Sequence, residues 1–352
     1  MTIIVVASLV FFGGTTDSVA PIFADHCVQC HHAGGMAPFS VETFEQARPW
    51  AKSIARAVAN RDMPPFGADG PIGKYVDDPR LTDEEIAAVV AWAERPVRYE
   101  GIEAPLKPAR ITGEALWVSM DVDGGWLDTS KVNSVHNTLP APVKVAAFYW
   151  PNTDPPIHHA SIQRKEGGMR NVIPLSQYLP NGGVARAPEG YAVTLTPQDH
   201  LRAPIHVGPT EAASVLTTAI YIEEAPVDAK ELPEPIILGI EHGGAIPPMS
   251  DHIAVIERAA EAGMVVHALT VHMHARGKSA RLFVDGVEAF AVPRYDENWQ
   301  RTYALVEPMQ IRAGSQLRAE LRWTNDGAEP VVFGPLSNEE MGWIELIWTP
   351  TS

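Results

Sequence analysis

Apolar residues recur at helical spacing in one part of this chain and alternate with polar ones in the rest. Within 43–61 they stand at Phe44, Ala47, Trp50, Ile54 and Val58, a period that predicts one amphipathic helix. Thr82-Asp83-Glu84-Glu85 reads as a capping box opening a further helical run from Ile86 to Trp92, which Pro96 ends. Residues 18–98 are therefore expected to form a small all-α domain, and the polar, Pro-bearing stretch 99–114 a linker. Beyond it the texture is that of strands: Val143 to Trp150, Val215 to Ile222 and Ala280 to Val284 are apolar runs bounded by turn residues. A second Pro-rich stretch, Glu223 to Pro235, divides this region into halves, 115–229 and 230–352, each of a size that suits a β-sandwich.

Composition narrows the function classes. The 352 residues carry a formal net charge of −16, which argues against nucleic-acid binding and against docking on an anionic membrane. Ile3 to Phe12 is apolar but too short to cross a bilayer. Within 1–17 it reads either as the remnant of a signal peptide or as an ordered N-terminal strand.

The chain's two cysteines both lie in Cys27-Val28-Gln29-Cys30-His31. This is a CxxCH motif. Two thiols at that spacing add to the two vinyl groups of one porphyrin, and the next residue offers an imidazole to the iron. A thioredoxin-like CxxC or half of a zinc site are the alternatives, but no βαβ pattern surrounds the motif and no further thiolates exist. Met63, before Pro64-Pro65, is the leading candidate for the sixth ligand, with Met36, His32 and His26 behind it. Covalent haem attachment in bacteria takes place outside the cytoplasm, so a periplasmic or secreted location follows from a haem.

Ten of the thirteen histidines lie in the β region. His272-Met273-His274 places two imidazoles on one face of a strand, a chelate suited to copper or zinc. His158 and His159 are adjacent, so a regular strand would turn them to opposite faces, and sharing one metal requires a twist, a bulge or a strand end. His206 is a lone histidine in a strand-like run, and Met341 offers a soft thioether that favours Cu(I). Taken singly, each is more simply read as packing or hydrogen bonding.

Taken together these residues resemble those of the type II copper monooxygenases, the group that includes peptidylglycine and dopamine hydroxylases. The match rests on His272-Met273-His274-Ala275-Arg276-Gly277-Lys278, Glu340-Met341 and Pro293 to Gln300. The N-terminal part, with Arg48-Pro49-Trp50-Ala51 and Met63-Pro64-Pro65-Phe66, resembles a class I cytochrome c domain. The resemblance implies a multidomain protein: a cytochrome c domain followed by two all-β, jelly-roll-like sandwiches. It implies one copper on His158, His159 and His206, and a second, catalytic copper on His272, His274 and Met341. The implied activity is hydroxylation of a C–H bond of a small-molecule substrate with O2, one oxygen atom being incorporated. Electrons would come from ascorbate or from a periplasmic redox donor through the haem held by Cys27, Cys30, His31 and Met63. Thr270 stands where peptide-processing members carry an arginine for the substrate carboxylate, which argues against an α-carboxylate substrate. The competing expectation is a periplasmic electron-transfer or copper-binding protein without oxygenase activity.

Overall fold

The computed structural model describes residues 19–33, 37–103, 114–122, 132–150, 157–165, 172–177, 184–207, 214–334 and 338–351. The expected signal remnant at 1–17, Met36 and most of the linker lie outside the described residues. The chain divides into two compact units. One comprises 1–65 and 79–107, the other 66–78 and 108–352.

The first unit holds α1 (Val19–His26), α2 (Phe44–Ala47), α3 (Ala51–Ala59) and α4 (Asp83–Glu94). The single helix expected over 43–61 is interrupted, because Pro49 sits in a 3-10 turn between α2 and α3. Thr82 caps α4 as its sequence predicts. Its hydroxyl accepts the Glu85 N–H while the Glu85 carboxylate accepts the Thr82 N–H. Phe23, Val28, Val58, Val89 and Trp92 form the core of this unit.

The expectation of an all-α class I cytochrome c domain over 18–98 is corrected by this architecture. Among the described residues the protein is mostly β, with 43% in strands and 14% in helix. The helices are short, of 8, 4, 9 and 12 residues. The stretch Phe66–Asp78 leaves them altogether. Ala68 and Tyr75 are buried in the β unit, Phe66 packs on the same cluster, and Tyr75 bridges to Leu305. Three aromatic rings explain the preference, since Phe66, Tyr75 and Tyr303 pack together with centroids 5.3 to 5.6 Å apart.

In the second unit, the 236–350 portion is a β-sandwich. One four-stranded sheet orders Ile236–Ile240, Gly342–Pro350, Met264–Met273 and Thr302–Ile311. The other orders Ser250–Ala259, Gln316–Asn325, Gly277–Val284 and Val287–Val292. Leu269, Val271, Ile344 and Leu346 from the first sheet meet Leu282, Phe290, Leu321 and Trp323 from the second.

The 114–231 portion differs from the independent sandwich expected of it. Its strands join in one nine-stranded sheet. Its core, which includes Leu116, Ile162, Leu201 and Ile220, also takes in Ala268 and Ile347 from the other half. The two halves thus share buried residues within one unit. Among the described residues no helix is long and apolar enough to cross a membrane.

Candidate functional site

The face shared between the β halves carries the polar residues of interest. Along Met264–Met273, alternate residues point to opposite sides. Leu269, Val271 and Met273 enter the sandwich core, so Ala268, Thr270 and His272 face the other way. The neighbouring strand repeats the division. Ala268 pairs with Ile347, Thr270 with Glu345 and His272 with Trp343. The last pair is Met273 with Gly342, so the next step brings His274 level with Met341. Thr270, His272, His274, Met341 and Glu345 are all buried.

Hydrogen bonds fix both imidazoles. The His274 Nδ1–H donates to the Glu339 carbonyl at 2.9 Å. His272 Nδ1 lies 2.7 Å from Gln300 Oε1, and the Gln300 amide donates to the Glu297 carbonyl at 3.1 Å. That second bond sets the amide orientation, so Oε1 accepts and His272 carries its proton on Nδ1. In each neutral ring Nε2 is then the lone-pair nitrogen. The rings stand at 90° with centroids 5.3 Å apart, and Trp343 lies against His272 at 4.1 Å. Two imidazoles oriented through Nδ1, with the buried Met341 one register step beyond the Met273–Gly342 pair, supply donor types that suit a soft metal such as Cu(I). Among the described residues no group of three His, Cys, Asp or Glu side chains is disposed to hold a metal ion.

Close packing holds the backbone of this site. A Cβ added at Gly342 would lie 2.6 Å from the Trp323 ring and 2.7 Å from the Met273 side chain. Gly342→Ala is therefore expected to destabilise the protein by about 1–3 kcal/mol, the usual cost of overpacking, as read by urea denaturation. Tyr295 is buried, donating to the Met273 carbonyl at 2.6 Å and accepting the Met273 N–H at 2.8 Å. Burial pushes its phenol well above the usual range.

Several of these residues were not evident from sequence reasoning. Burial raises the carboxyl of Glu340 to about 7, and that of Glu345 likewise to about 7. Glu345 accepts from the Gln177 amide of the other β half. Gln300 lies in a segment singled out by sequence, but nothing there marked it as the His272 partner. Arg276 has its N–H on Glu340 at 2.8 Å and its guanidinium 3.9 Å from the same oxygen. His267 bonds to the Thr349 hydroxyl at 2.9 Å and touches neither imidazole through that bond.

For the other trio the backbone is informative. His159 pairs directly with His206 across Ile157–Ala160 and Leu201–Val207. The register shifts between Ile157 and His159, which puts His158 in the irregularity. The side chains of His158, His159 and His206 lie outside the described residues.

The CxxCH motif continues from α1 in a tight turn, with the Cys30 and His31 N–H groups both donating to the Cys27 carbonyl. Neither cysteine is in a disulfide. Burial, with Cys30 nearby, pushes the Cys27 thiol up to about 12. The His31 Nδ1–H donates to the Phe39 carbonyl at 3.0 Å, again leaving Nε2 as the lone-pair nitrogen. Met63 packs on the same apolar cluster as Cys27 and Phe39. His26 is committed elsewhere, to the Pro79 carbonyl and Glu85, and His32 bonds to the Ala33 carbonyl next to it. Two cysteines at this spacing followed by an oriented imidazole have the residue types that covalent haem attachment would need.

No protein-family model matches the chain, and no curated protein matches it. The solved structures that align with it are distant. The major capsid protein P2 from bacteriophage PM2 is 10% identical, with a TM-score of 0.25 over 66% of this chain and 98% of that one. The insecticidal delta-endotoxin Cry8Ea1 from Bacillus thuringiensis is 7% identical, with a TM-score of 0.20 over 68% of this chain and 54% of that one. The expected kinship with cytochromes c and type II copper monooxygenases is thereby corrected. The chain is a mostly β protein that no family model places in either group.

Proposed function

We propose that this chain is a copper-dependent monooxygenase that hydroxylates a C–H bond with O2, drawing electrons through a covalently bound haem c. The observation that carries the reading is the buried set His272, His274 and Met341, with both imidazoles oriented through Nδ1. Copper held there would supply O2 activation, the thioether favouring its reduced state. In the overall reaction one oxygen atom enters the C–H bond and the other leaves as water, with two electrons and two protons supplied. His158, His159 and His206 would hold a second, electron-storing copper. Cys27 and Cys30 would hold the haem, with His31 and Met63 as its axial ligands.

The chain's own residues have definable parts in this scheme. Gln300 and the Glu339 carbonyl keep His272 and His274 in one tautomer. Trp343 shields the His272 ring. Burial keeps water from the two imidazoles, His272 being 5% and His274 6% exposed. The reductant would be ascorbate or a periplasmic redox partner, and the location periplasmic or secreted.

Copper-loaded protein with reductant and a panel of small substrates is expected to consume O2 and to place labelled oxygen from 18O2 in a product. Bound copper without O2 uptake or product across that panel would favour an electron-transfer or copper-binding protein. Separately, Cys27→Ser with Cys30→Ser, expressed with the haem-maturation machinery, is expected to lose all covalent haem in a denaturing-gel peroxidase stain. Retained stain would show that the haem sits elsewhere.

A further inference from the structure

Glu340 is fully enclosed, and its carboxylate faces the turn that follows His272-Met273-His274. One oxygen accepts the His274 N–H at 3.2 Å and the other accepts the Arg276 N–H at 2.8 Å. The same segment reaches His274 a second way, because the Glu339 carbonyl accepts from its Nδ1–H. Glu340 is itself anchored on its own side. Its N–H donates to the Val332 carbonyl at 3.0 Å, and its carbonyl accepts the Gly334 N–H at 2.8 Å. Met341 follows directly. The chain that delivers the thioether and the turn that delivers the second imidazole are thus joined through one side chain.

We propose that Glu340 is a positioning residue that holds the Met341 thioether level with His274 by tying its segment to the His274–Arg276 turn. The inference rests on the copper reading of His272, His274 and Met341. Carboxylate bonds to two backbone N–H groups are among the stronger hydrogen bonds. They fix a distance between backbones that the pairing of Met273 with Gly342 alone sets only up to the residue before. His272 keeps its own support, Gln300, when Glu340 is removed, and the Glu339 carbonyl is still there for the His274 Nδ1–H. The loss should therefore fall more on the sulfur than on the nitrogens. Because a thioether favours Cu(I) over Cu(II), the effect should also depend on oxidation state.

The test uses the full chain loaded with copper alone, as wild type, Glu340→Ala and Glu340→Gln. Copper X-ray absorption reports whether sulfur is in the Cu(I) shell, and competition with a chromogenic chelator gives Cu(I) and Cu(II) affinities. Glu340→Ala is expected to lose the sulfur contribution and about 10–100-fold in Cu(I) affinity, the range for residues that support ligands. Its Cu(II) affinity should change far less. Glu340→Gln still accepts one N–H and should keep the sulfur with a smaller loss. A folded Glu340→Ala protein with sulfur in its copper shell and wild-type Cu(I) affinity would overturn the proposal. Should Glu340→Ala fail to fold, Glu340→Gln decides, weaker Cu(I) binding supporting the proposal and unchanged binding refuting it. Wild-type protein with no sulfur in its copper shell would instead refute the copper reading itself.

Discussion

His272→Ala is expected to abolish hydroxylation and to remove the copper of the Met341 site while leaving the fold intact. The strand Met264–Met273 pairs along both edges, and its apolar face is supplied by Leu269, Val271 and Met273, none of which changes. What disappears is one of two imidazole donors, leaving His274 and a weak thioether. A metal contributes several kcal/mol to such a reaction, so turnover should fall on the order of 1,000-fold or more. Gln300→Ala should fall between wild type and His272→Ala, because it removes only the group that orients His272, at a cost of about 10–100-fold in copper affinity. The ordering is checked by O2 uptake and copper content on the same preparations. Equal activity in wild type and His272→Ala would remove this residue from the mechanism.

The second large effect concerns stability. Glu345 is enclosed between the β halves and accepts only from Gln177 among the hydrogen bonds of its side chain that the described residues provide. Burial raises its carboxyl from 4.5 to about 7. In the unfolded chain the proton leaves near 4.5, whereas the folded protein keeps it up to about 7. Between these values the folded state binds more protons, so stability falls as pH rises through the window and the deficit is complete above it. At about 1.4 kcal/mol per unit, a full shift of this kind costs about 3 kcal/mol. Glu345→Gln keeps an acceptor for the Gln177 amide but has no proton to lose. It is expected to match wild type near pH 4.5 and to be more stable by up to about 3 kcal/mol at pH 8, as measured by urea denaturation. A wild-type-to-variant difference that stays flat across this range would show that Glu345 ionises without cost.

What the sequence reveals here follows the range of each interaction. The Thr82–Glu85 capping box is local, and the structure forms it as its spacing predicts. The strand expected at His272-Met273-His274 forms but ends at Met273, so His272 lies in it and His274 just past it. Partnership between distant segments leaves no such mark. Phe66 and Tyr75 look equally suited to a helical core or a β core, and only the ring cluster with Tyr303 shows which they join. The cytochrome expectation failed for that reason. It rested on a local motif and on helical periodicity that Pro49 cuts into short pieces. Ala268 and Ile347 read as ordinary strand residues, and nothing in their identity says that they complete the core of the other half. Glu345 is a single carboxylate in an apolar run, and Glu340 ends the polar stretch Ser337-Asn338-Glu339-Glu340, a pattern that usually means a solvated face. Their burial depends on what covers them. For His158 and His159 the sequence asked for an irregular strand only if both hold one metal, and the backbone register shifts between Ile157 and His159.

Copper content is the most direct check on whether the histidines and Met341 form metal centres at all. Haem-matured protein, reconstituted with copper and freed of excess metal, would be assayed for copper and iron beside His272→Ala and His158→Ala. Two coppers per haem in wild type, with each variant keeping about one, is the expected result. Iron without retained copper, or copper unchanged by both substitutions, would contradict the assignment of these residues as ligands and with it the oxygenase reading.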